Sequence, residues 1–534
     1  ALFVLLCGTG QGFSVERQEI AKLPVVPKLK PSSYCIEVAD SKEGWAGAYN
    51  ELINLLYEGT IPTWDVSLVR PAGTPLKTFG GRASGPGPLV DLFKFTVETF
   101  KAAEGRTLNS LECHDILCMV GVSVVVGGVR RSAMISLSNL SDDRMRTAKS
   151  GDWWKTDSIR GLANNSAAYT EKPDTTAFMK EWLSLIKSKS GERGIFNRNA
   201  AVAKVLENSR RVSDYQFGTN PCGEIILRPR QFCNLTEVVV RATDNIDRIA
   251  TKCYWAAYLG TIQSTYTHFP FLSTLNSDWE DNCNEERLLG VSLTGITDNP
   301  RMTNANAGLD KTLDFLKSIV VVTNKNIATG LGIPQSKATT CVKPSGTVSQ
   351  LVDSSSGIHT RHSDYYIRTV RADNMDPVTQ FMKAKGFPNE PLEDAPDKTT
   401  VFSFPTRAPD KCLTRDSLDA IDQLELWKAY QVNWCEHSVS CTITVREHEW
   451  LAVAAWVYDN WDIVSGLSFL PHSDHVYRQA PYQEVTMLEY ARAAVKMPKG
   501  VDWTELALFE QEDHTKSSQM FACSGDSCEI VDIT

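Results

Sequence analysis

Apolar residues recur at helical spacing in some stretches of the chain and crowd together in others. In "KEGWAGAYNELINLLYEG", Trp45, Tyr49, Leu52, Leu55 and Leu56 fall on one face, which predicts an amphipathic helix. The same spacing predicts helices in "LVDLFKFTVETFKAAEG", in "KEWLSLIK" (180–187), in "LDKTLDFLKSIVVVTNKNIATGLG" and in "EHEWLAVAAWVYDNW". Short runs dense in β-branched and apolar residues predict buried strands: "EIIL", "TEVVV", "FPFLS" and "SCTITV" (440–445). "VGVSVVVGGVRRSAMISL" reads as another, broken by Gly127-Gly128. The chain opens on an apolar element, turns at Gly8, Gly10 and Gly12, and continues through the polar, proline-rich "KLPVVPKLKPSSY". Strands apolar on both faces, alternating with helices, predict an α/β architecture, either a sheet or a barrel. The C-terminal "ELALFEQEDHTKSSQMFACSGDSCEIVDIT" loses periodicity and reads as a mobile tail. No internal repeat stands out.

Composition narrows the classes. At 534 residues the chain suits two or three structural units. A formal charge of −9 with no basic run argues against nucleic acid as a partner, although a local loop or helix N-terminus can still bind a small anion. "ALFVLLCGTGQGF" lacks the basic flank and the length of a signal peptide or membrane span. It also starts without methionine inside an apolar element, so the sequence reads as a fragment with an upstream segment missing. The 14 cysteines are scattered, which predicts reduced thiols, a cytoplasmic protein and no membrane partner.

Three constellations could carry chemistry. In "GTNPCGEIILRPRQFCNLTE", alternation in an extended segment would put Asn220, Cys222 and Glu224 on one face, with Pro221 and Gly223 shaping a rigid loop tip. A thiol, a carboxylate and an amide could then act as reactive sulfur, general base and substrate anchor. A buried turn with reduced thiols explains the same residues. Cys523 and Cys528 in "CSGDSC" suit a dithiol relay better than a zinc site, which wants four ligands; two idle tail thiols remain open. "KPSGTVSQL" places Ser345, Gly346 and Thr347 before a predicted helix, as either a phosphate cradle or simply a cap. Three further motifs point elsewhere. "GTGQG" lacks dinucleotide-turn spacing, "CEHSVSC" reads as a packed strand in preference to a metal site, and "HSDH" reads as a solvated loop. No metal site is expected.

Together "GGVRRSA", "SGERGIFNR", "NPCGE", "FCNL", "KPSGT" and the terminal "CSGDSC", in that order, resemble ribonucleotide reductase over essentially the whole chain. The type most similar is the monomeric, adenosylcobalamin-dependent (class II) ribonucleoside-triphosphate reductase. The resemblance implies a ten-stranded α/β barrel, two five-stranded parallel halves, with a central finger loop carrying Cys222. It implies four regions: 1–14 as the start of the barrel, 15–66 as an insertion standing in for a dimer partner at the effector site, 67–500 as the catalytic barrel, and 501–534 as a redox tail. Cys222 would carry a thiyl radical, Glu224 would be the general base, Asn220 would hold the sugar, and Cys233 would be half of a reducing dithiol. The other half would lie upstream of residue 1, because Cys7 aligns with the glycine turn itself. Cys523 and Cys528 would relay electrons from a thioredoxin-like reductant. Pro344, Ser345, Gly346, Thr347 and Ser349 would bind substrate phosphates. Gly80, Arg82, Ser84, Gly127, Gly128, Arg130 and Arg131 would lie in loops reading a deoxynucleoside triphosphate effector. His472 and Tyr477 are the residues offered to adenosylcobalamin.

Rivals explain less. A class I-type large subunit, acting on diphosphates with a separate radical-generating subunit, would want adjacent tyrosines near the C-terminus. Tyr365-Tyr366 comes too early, and "GLSFLPHSDHVYRQAPY" (466–482) has none. The class II D-x-H-x-x-G cobalamin signature is also missing, as it is in the monomeric reductases. A glycyl-radical enzyme would want a terminal motif of the R-V-x-G-Y kind. A non-catalytic nucleotide sensor would not need Cys222, Glu224 and the tail thiols, and a generic NAD- or thiol-dependent oxidoreductase leaves "KPSGT" unexplained.

Overall fold

The structure, a computed structural model, describes residues 1–74, 83–125, 134–189, 191–303, 308–393, 396–472 and 478–510. Four of its strands, Met134–Asn139, Ala163–Tyr169, Gly194–Asn197 and Leu289–Thr294, are short and almost wholly buried, as parallel strands covered on both faces must be. β1 (Gln11–Ser14), β2 (Met134–Asn139), β3 (Ala163–Tyr169) and β4 (Gly194–Asn197) run parallel in sequence order. β5 (Asn234–Val239), β6 (Leu289–Thr294) and β7 (Thr340–Cys341) form a second parallel set. β8 (Thr442–Val445) pairs parallel with β9 (Gly466–Pro471), and β9 meets β4 antiparallel, with Gly466 opposite Phe196.

These pairings give a six-stranded sheet, β1-β2-β3-β4-β9-β8, and a three-stranded sheet, β7-β6-β5. A parallel bridge between Val342 and Val439 joins the two. There Val342 N donates to Ser438 O at 3.1 Å, and Ser440 N donates to Val342 O at 2.9 Å. The α/β class is as expected, but the closed ten-stranded barrel is not seen. Among the described residues no strand lies between the outer edges of β1 and β5, so the sheet stays open there.

Two apolar cores flank this framework. One packs β5 to β9 against helices Ile246–Gln263, Leu309–Leu331, Ala420–Asn433 and Trp450–Asp459. A buried indole must find an acceptor for its N–H. Trp434 Nε1 donates to Cys341 O at 2.8 Å and Trp427 Nε1 to Val439 O at 3.0 Å, so both rings brace the bridge. The other core lies at the N-terminal end. There parallel strands Lys30–Glu37 and Thr60–Asp65 are joined by helix Lys42–Tyr57, which buries Ala48, Leu52 and Leu56. Ser41 caps this helix by accepting from Gly44 N at 2.9 Å. The same core takes in helices Gly87–Ala102 and Ser110–Val125, with Trp64 edge-on to Phe93 at 5.4 Å.

Three local expectations change. "FPFLS" is not a strand: Pro270 starts helix Pro270–Leu275, where its missing N–H costs nothing. The valine run at 122–125 ends helix Ser110–Val125, and the strand begins only at Met134; residues 126–133 lie outside the described set. Packing outweighs β-propensity here, because Cys118, Val120 and Val124 are all buried in the N-terminal core. Residues 501–510 do not belong to a free tail: the turn Trp503–Leu508 sets Trp503 5.2 Å from Phe381. No described helix is long and apolar enough to cross a membrane.

Candidate active site

The finger loop is a hairpin, Gly218–Thr219 against Ile226–Leu227. Gly12 on β1 lets it in. A Cβ on Gly12 would lie 2.0 Å from Thr219 O, so "GTGQG" serves a close backbone approach and not a dinucleotide turn. The tip is a tight turn, with Gly223 N donating to Asn220 O at 3.0 Å and Gly223 at φ +86, a conformation that favours glycine. This corrects the extended, one-face arrangement expected for Asn220, Cys222 and Glu224. Asn220 folds back to accept from Ile225 N at 3.0 Å, which orders the turn.

The surrounding strands clamp the tip. Asn164 on β3 donates to Pro221 O at 3.1 Å, Ser440 Oγ donates to Cys222 O, and Ser438 N donates to Glu224 O at 3.0 Å. His437, once weighed as a metal ligand, is a strut. Its Nδ1 accepts from Ile226 N at 3.4 Å and its Nε2 faces Leu289 O at 3.0 Å. That tautomer is neutral, and burial, then Arg211, pull the imidazole down to about 3.

Lys343 unites the reactive groups. Its Nζ donates to Glu224 Oε1 at 3.0 Å and lies 3.7 Å from Cys222 Sγ. Glu224 is fully buried, and its Oε2 has no hydrogen-bond partner. Burial pushes the Cys222 thiol up, Lys343 pulls it back in part, and Glu224 adds to the rise. The sulfur therefore keeps its proton at neutral pH. Lys343 itself would be lowered by burial, but Glu224 and then Cys222 carry it well above the ordinary lysine range.

Cys222 faces a cavity of about 820 Å³. Pro344, Gly346 and Ser349 line it at one side, where helix Gly346–Leu351 begins; Thr347 lies in that helix. Ser345 N donates to Ser356 Oγ at 2.9 Å, while the buried hydroxyls of Ser354 and Ser355 in the cavity wall have no hydrogen-bond partner. A pocket rich in unsatisfied hydroxyls suits a polyanion. Four arginines, Arg361, Arg368, Arg407 and Arg415, also line the cavity, and sequence reasoning singled out none of them. Lys343 was overlooked too, although it heads the "KPSGT" motif.

Cys233 faces a second cavity of about 710 Å³, whose wall includes Cys7, Cys283, Phe232, Phe269 and Phe271. Its thiol is pushed well above the ordinary value by burial, Arg211 opposing and Glu224 adding to it. The charge of Glu224 thus acts on both thiols, which face different cavities. His472 extends β9, its N donating to Val445 O at 2.8 Å, with its ring 3.8 Å from Asp416. Ser84 donates to Gly85 O at 3.2 Å. Gly80, Arg82, Gly127, Gly128, Arg130, Arg131, Tyr477, Cys523 and Cys528 lie outside the described residues.

Comparison with known proteins agrees with this geometry. Residues 14–99 match the family model described as "B12-dependent ribonucleotide reductase, insertion domain". The adenosylcobalamin-dependent ribonucleoside-triphosphate reductase of Lacticaseibacillus paracasei is 28% identical, covering 98% of this chain and 78% of its own length. That of Lactobacillus delbrueckii subsp. bulgaricus is 28% identical, covering 98% and 79%. A crystal structure of a B12-dependent (class II) ribonucleotide reductase superposes with a TM-score of 0.76 at 24% identity, over 96% of this chain and 78% of that one, which establishes the likeness of fold. Over nearly its whole length the chain is thus similar in sequence to adenosylcobalamin-dependent ribonucleoside-triphosphate reductases and shares the fold of a class II ribonucleotide reductase.

Proposed function

We propose that the chain reduces ribonucleoside triphosphates to 2′-deoxyribonucleotides by thiyl-radical chemistry, with adenosylcobalamin as cofactor. The observation that carries this reading is the cysteine-tipped turn, with Cys222 in the wall of the 820 Å³ cavity beside Pro344, Gly346 and Ser349, and with Lys343 reaching both Cys222 and the buried Glu224. The names of the relatives support it.

The cavity fits the cofactor. Tyr366, Tyr482 and Tyr490 line it with Phe404, and Arg368 Nε is buried there without a hydrogen-bond partner. Flat rings and an unsatisfied donor suit a macrocycle edged with amides, so these residues would hold it, together with His472 and Tyr477. When bound, adenosylcobalamin supplies the one-electron oxidising power that removes the hydrogen atom of the Cys222 thiol.

The protein's own groups do the rest. Cys222, kept as S–H by burial, is the hydrogen-atom donor, and its sulfur radical takes the hydrogen from C3′ of the ribose. Glu224 Oε2 accepts the 3′-hydroxyl proton as the 2′-hydroxyl leaves as water. Asn220, at the base of the turn, holds the sugar. Cys233 and a second thiol supply two electrons and two protons and end as a disulfide, so each turnover consumes one dithiol. Cys523 and Cys528 would re-reduce that disulfide and be reduced in turn by a thioredoxin-like partner. Clamping the tip between β3 and the 438–440 segment shields the radical from solvent. Ser345, Gly346, Thr347 and Ser349 take the phosphates.

The helical insertion around Lys42–Tyr57 would support a deoxynucleoside triphosphate effector in a monomer, read by the loops at Gly80–Ser84 and Gly127–Arg131. A ten-stranded barrel would follow if one further strand paired β1 with β5. The test is incubation of the protein with a ribonucleoside triphosphate, adenosylcobalamin and a dithiol. Deoxynucleotide formed only with the cofactor supports the reading; product without it, or only with an added iron protein, overturns it.

A further inference from the structure

Lys343 has no part in the mechanism above, yet it touches both of its reactive side chains. It follows β7 and the bridge residue Val342, and its backbone is fixed. Lys343 N donates to Ser292 Oγ at 2.9 Å, and its carbonyl lies 2.5 Å from where a Cβ on Gly357 would stand, a position glycine keeps open. From this anchor Nζ reaches Glu224 Oε1 at 3.0 Å. A carboxylate taken wholly out of water and left without a counter-charge takes up a proton, and a protonated acid cannot serve as a base. Glu224 is fully buried, and its outer oxygen, Oε2, has no hydrogen-bond partner.

We propose that Lys343 is a positioning residue for the base: its ammonium supplies the counter-charge at Glu224 Oε1 and leaves Oε2 as the atom that receives the 3′-hydroxyl proton. The inference rests on the reductase reading and deepens it. In the proton transfer the substrate O–H bond breaks, an O–H bond forms on Oε2, and Lys343 keeps its own proton throughout. The same ammonium, 3.7 Å from Cys222 Sγ, favours the thiolate of Cys222 against the burial that opposes it.

The other titratable groups near this pair do not supply the charge. Cys222 on the tip, Cys233 beside β5 and Cys341 on β7 are thiols raised by burial. Glu237 on β5 is a carboxyl raised by burial, and His437 is neutral. Arg211 is paired with Glu286, both side chains being fully buried. Lys343 is the cation that bonds Glu224 among the described residues.

Two variants, Lys343→Arg and Lys343→Gln, test this with two readouts. In the first, the acidic limb of the pH–rate profile for deoxynucleotide formation moves up by about one unit or more in Lys343→Gln, so that activity lost at neutral pH returns as pH rises, while Lys343→Arg keeps the limb near its original place. The second needs no cofactor. Iodoacetamide labelling of Cys222, followed by peptide mass spectrometry at fixed pH, slows about tenfold in Lys343→Gln, because the thiolate fraction falls tenfold per unit of pKa. A limb that does not move, or labelling of Cys222 that stays the same or speeds up in a variant melting at the parent temperature, overturns the proposal. If the parent protein makes no deoxynucleotide, the reductase reading fails and the labelling experiment alone decides the role of Lys343. A variant that fails to melt cooperatively is replaced in both assays by Lys343→Met, which keeps the length of the side chain without its charge.

Discussion

The finger loop and the strand that follows it present two thiols to two unlike cavities. Around Cys222 the cavity wall carries serine hydroxyls and four arginines, and Lys343 and Glu224 pair with each other beside the thiol. Around Cys233 the wall is largely aromatic, with Phe3 tilted 4.5 Å from Phe271 and Phe232 stacked 4.9 Å from Trp279. Both cysteines are half-buried, so burial alone does not separate them. The direct contacts do: the Lys343 ammonium stands 3.7 Å from Cys222 Sγ, whereas aromatic rings make up much of the cavity wall before Cys233. On the function proposed above, one side would bind a phosphorylated sugar and move its protons, and the other would exchange thiols with a soft, uncharged neighbour. The same chain segment thus serves two chemistries by turning two sulfurs to different surroundings.

The largest break in this comparison is expected from Cys222→Ser. Deoxynucleotide formation should fall below detection, while labelling of Cys233 at high pH proceeds at the parent rate. Retained reduction would remove the radical role from Cys222. Glu224→Gln comes next, with a loss of about 10²- to 10⁴-fold in kcat that high pH does not restore, as measured by the same product assay. Gly12→Ala should push the finger hairpin off β1, since its new methyl meets a backbone carbonyl. A stability loss of about 1–3 kcal/mol in urea unfolding, with a disproportionate loss of turnover, is expected.

A smaller effect comes from His437. The folded protein holds this ring neutral down to about pH 3, while the unfolded chain protonates near pH 6.5, so the unfolded state binds the extra proton in between. Stability should therefore fall as pH drops from 6.5 towards 3, by up to about 1.4 kcal/mol per unit. His437→Asn should lessen that slope in acid titrations followed by circular dichroism. Smallest is Asn164→Ala, which removes one hydrogen bond to the tip. About 1 kcal/mol of stability and a modest rise in KM are expected.

Residues close together in sequence were legible. The tip residues Asn220 to Glu224 share one turn, and their composition announces it through Pro221 and Gly223. The helix at Lys42–Tyr57 follows from its apolar spacing, and β5 from "TEVVV". Lys343 was not legible as a partner of Glu224, because only the pairing of β7 beside β6 and the bridge at Val342 brings it there. The four arginines of the cavity are scattered over three segments and show no motif. The extended reading of the tip failed for a local reason: Asn220 and Gly223 close a hydrogen-bonded turn, which alternation cannot foresee. The valines at 122–125 misled because β-branched residues tolerate a helix whose neighbours bury it.

The bridge braced by Trp427 and Trp434 has a mechanical consequence. Val342 is followed directly by the lysine, and the segment it pairs with, Ser438 to Ser440, grips the main chain of the thiol and of the carboxylate. The hinge line where the molecule's two slabs meet is therefore also the jig that gauges the spacing of its reagents. Slackening at that line would detune the chemistry while the secondary structure still registered as intact.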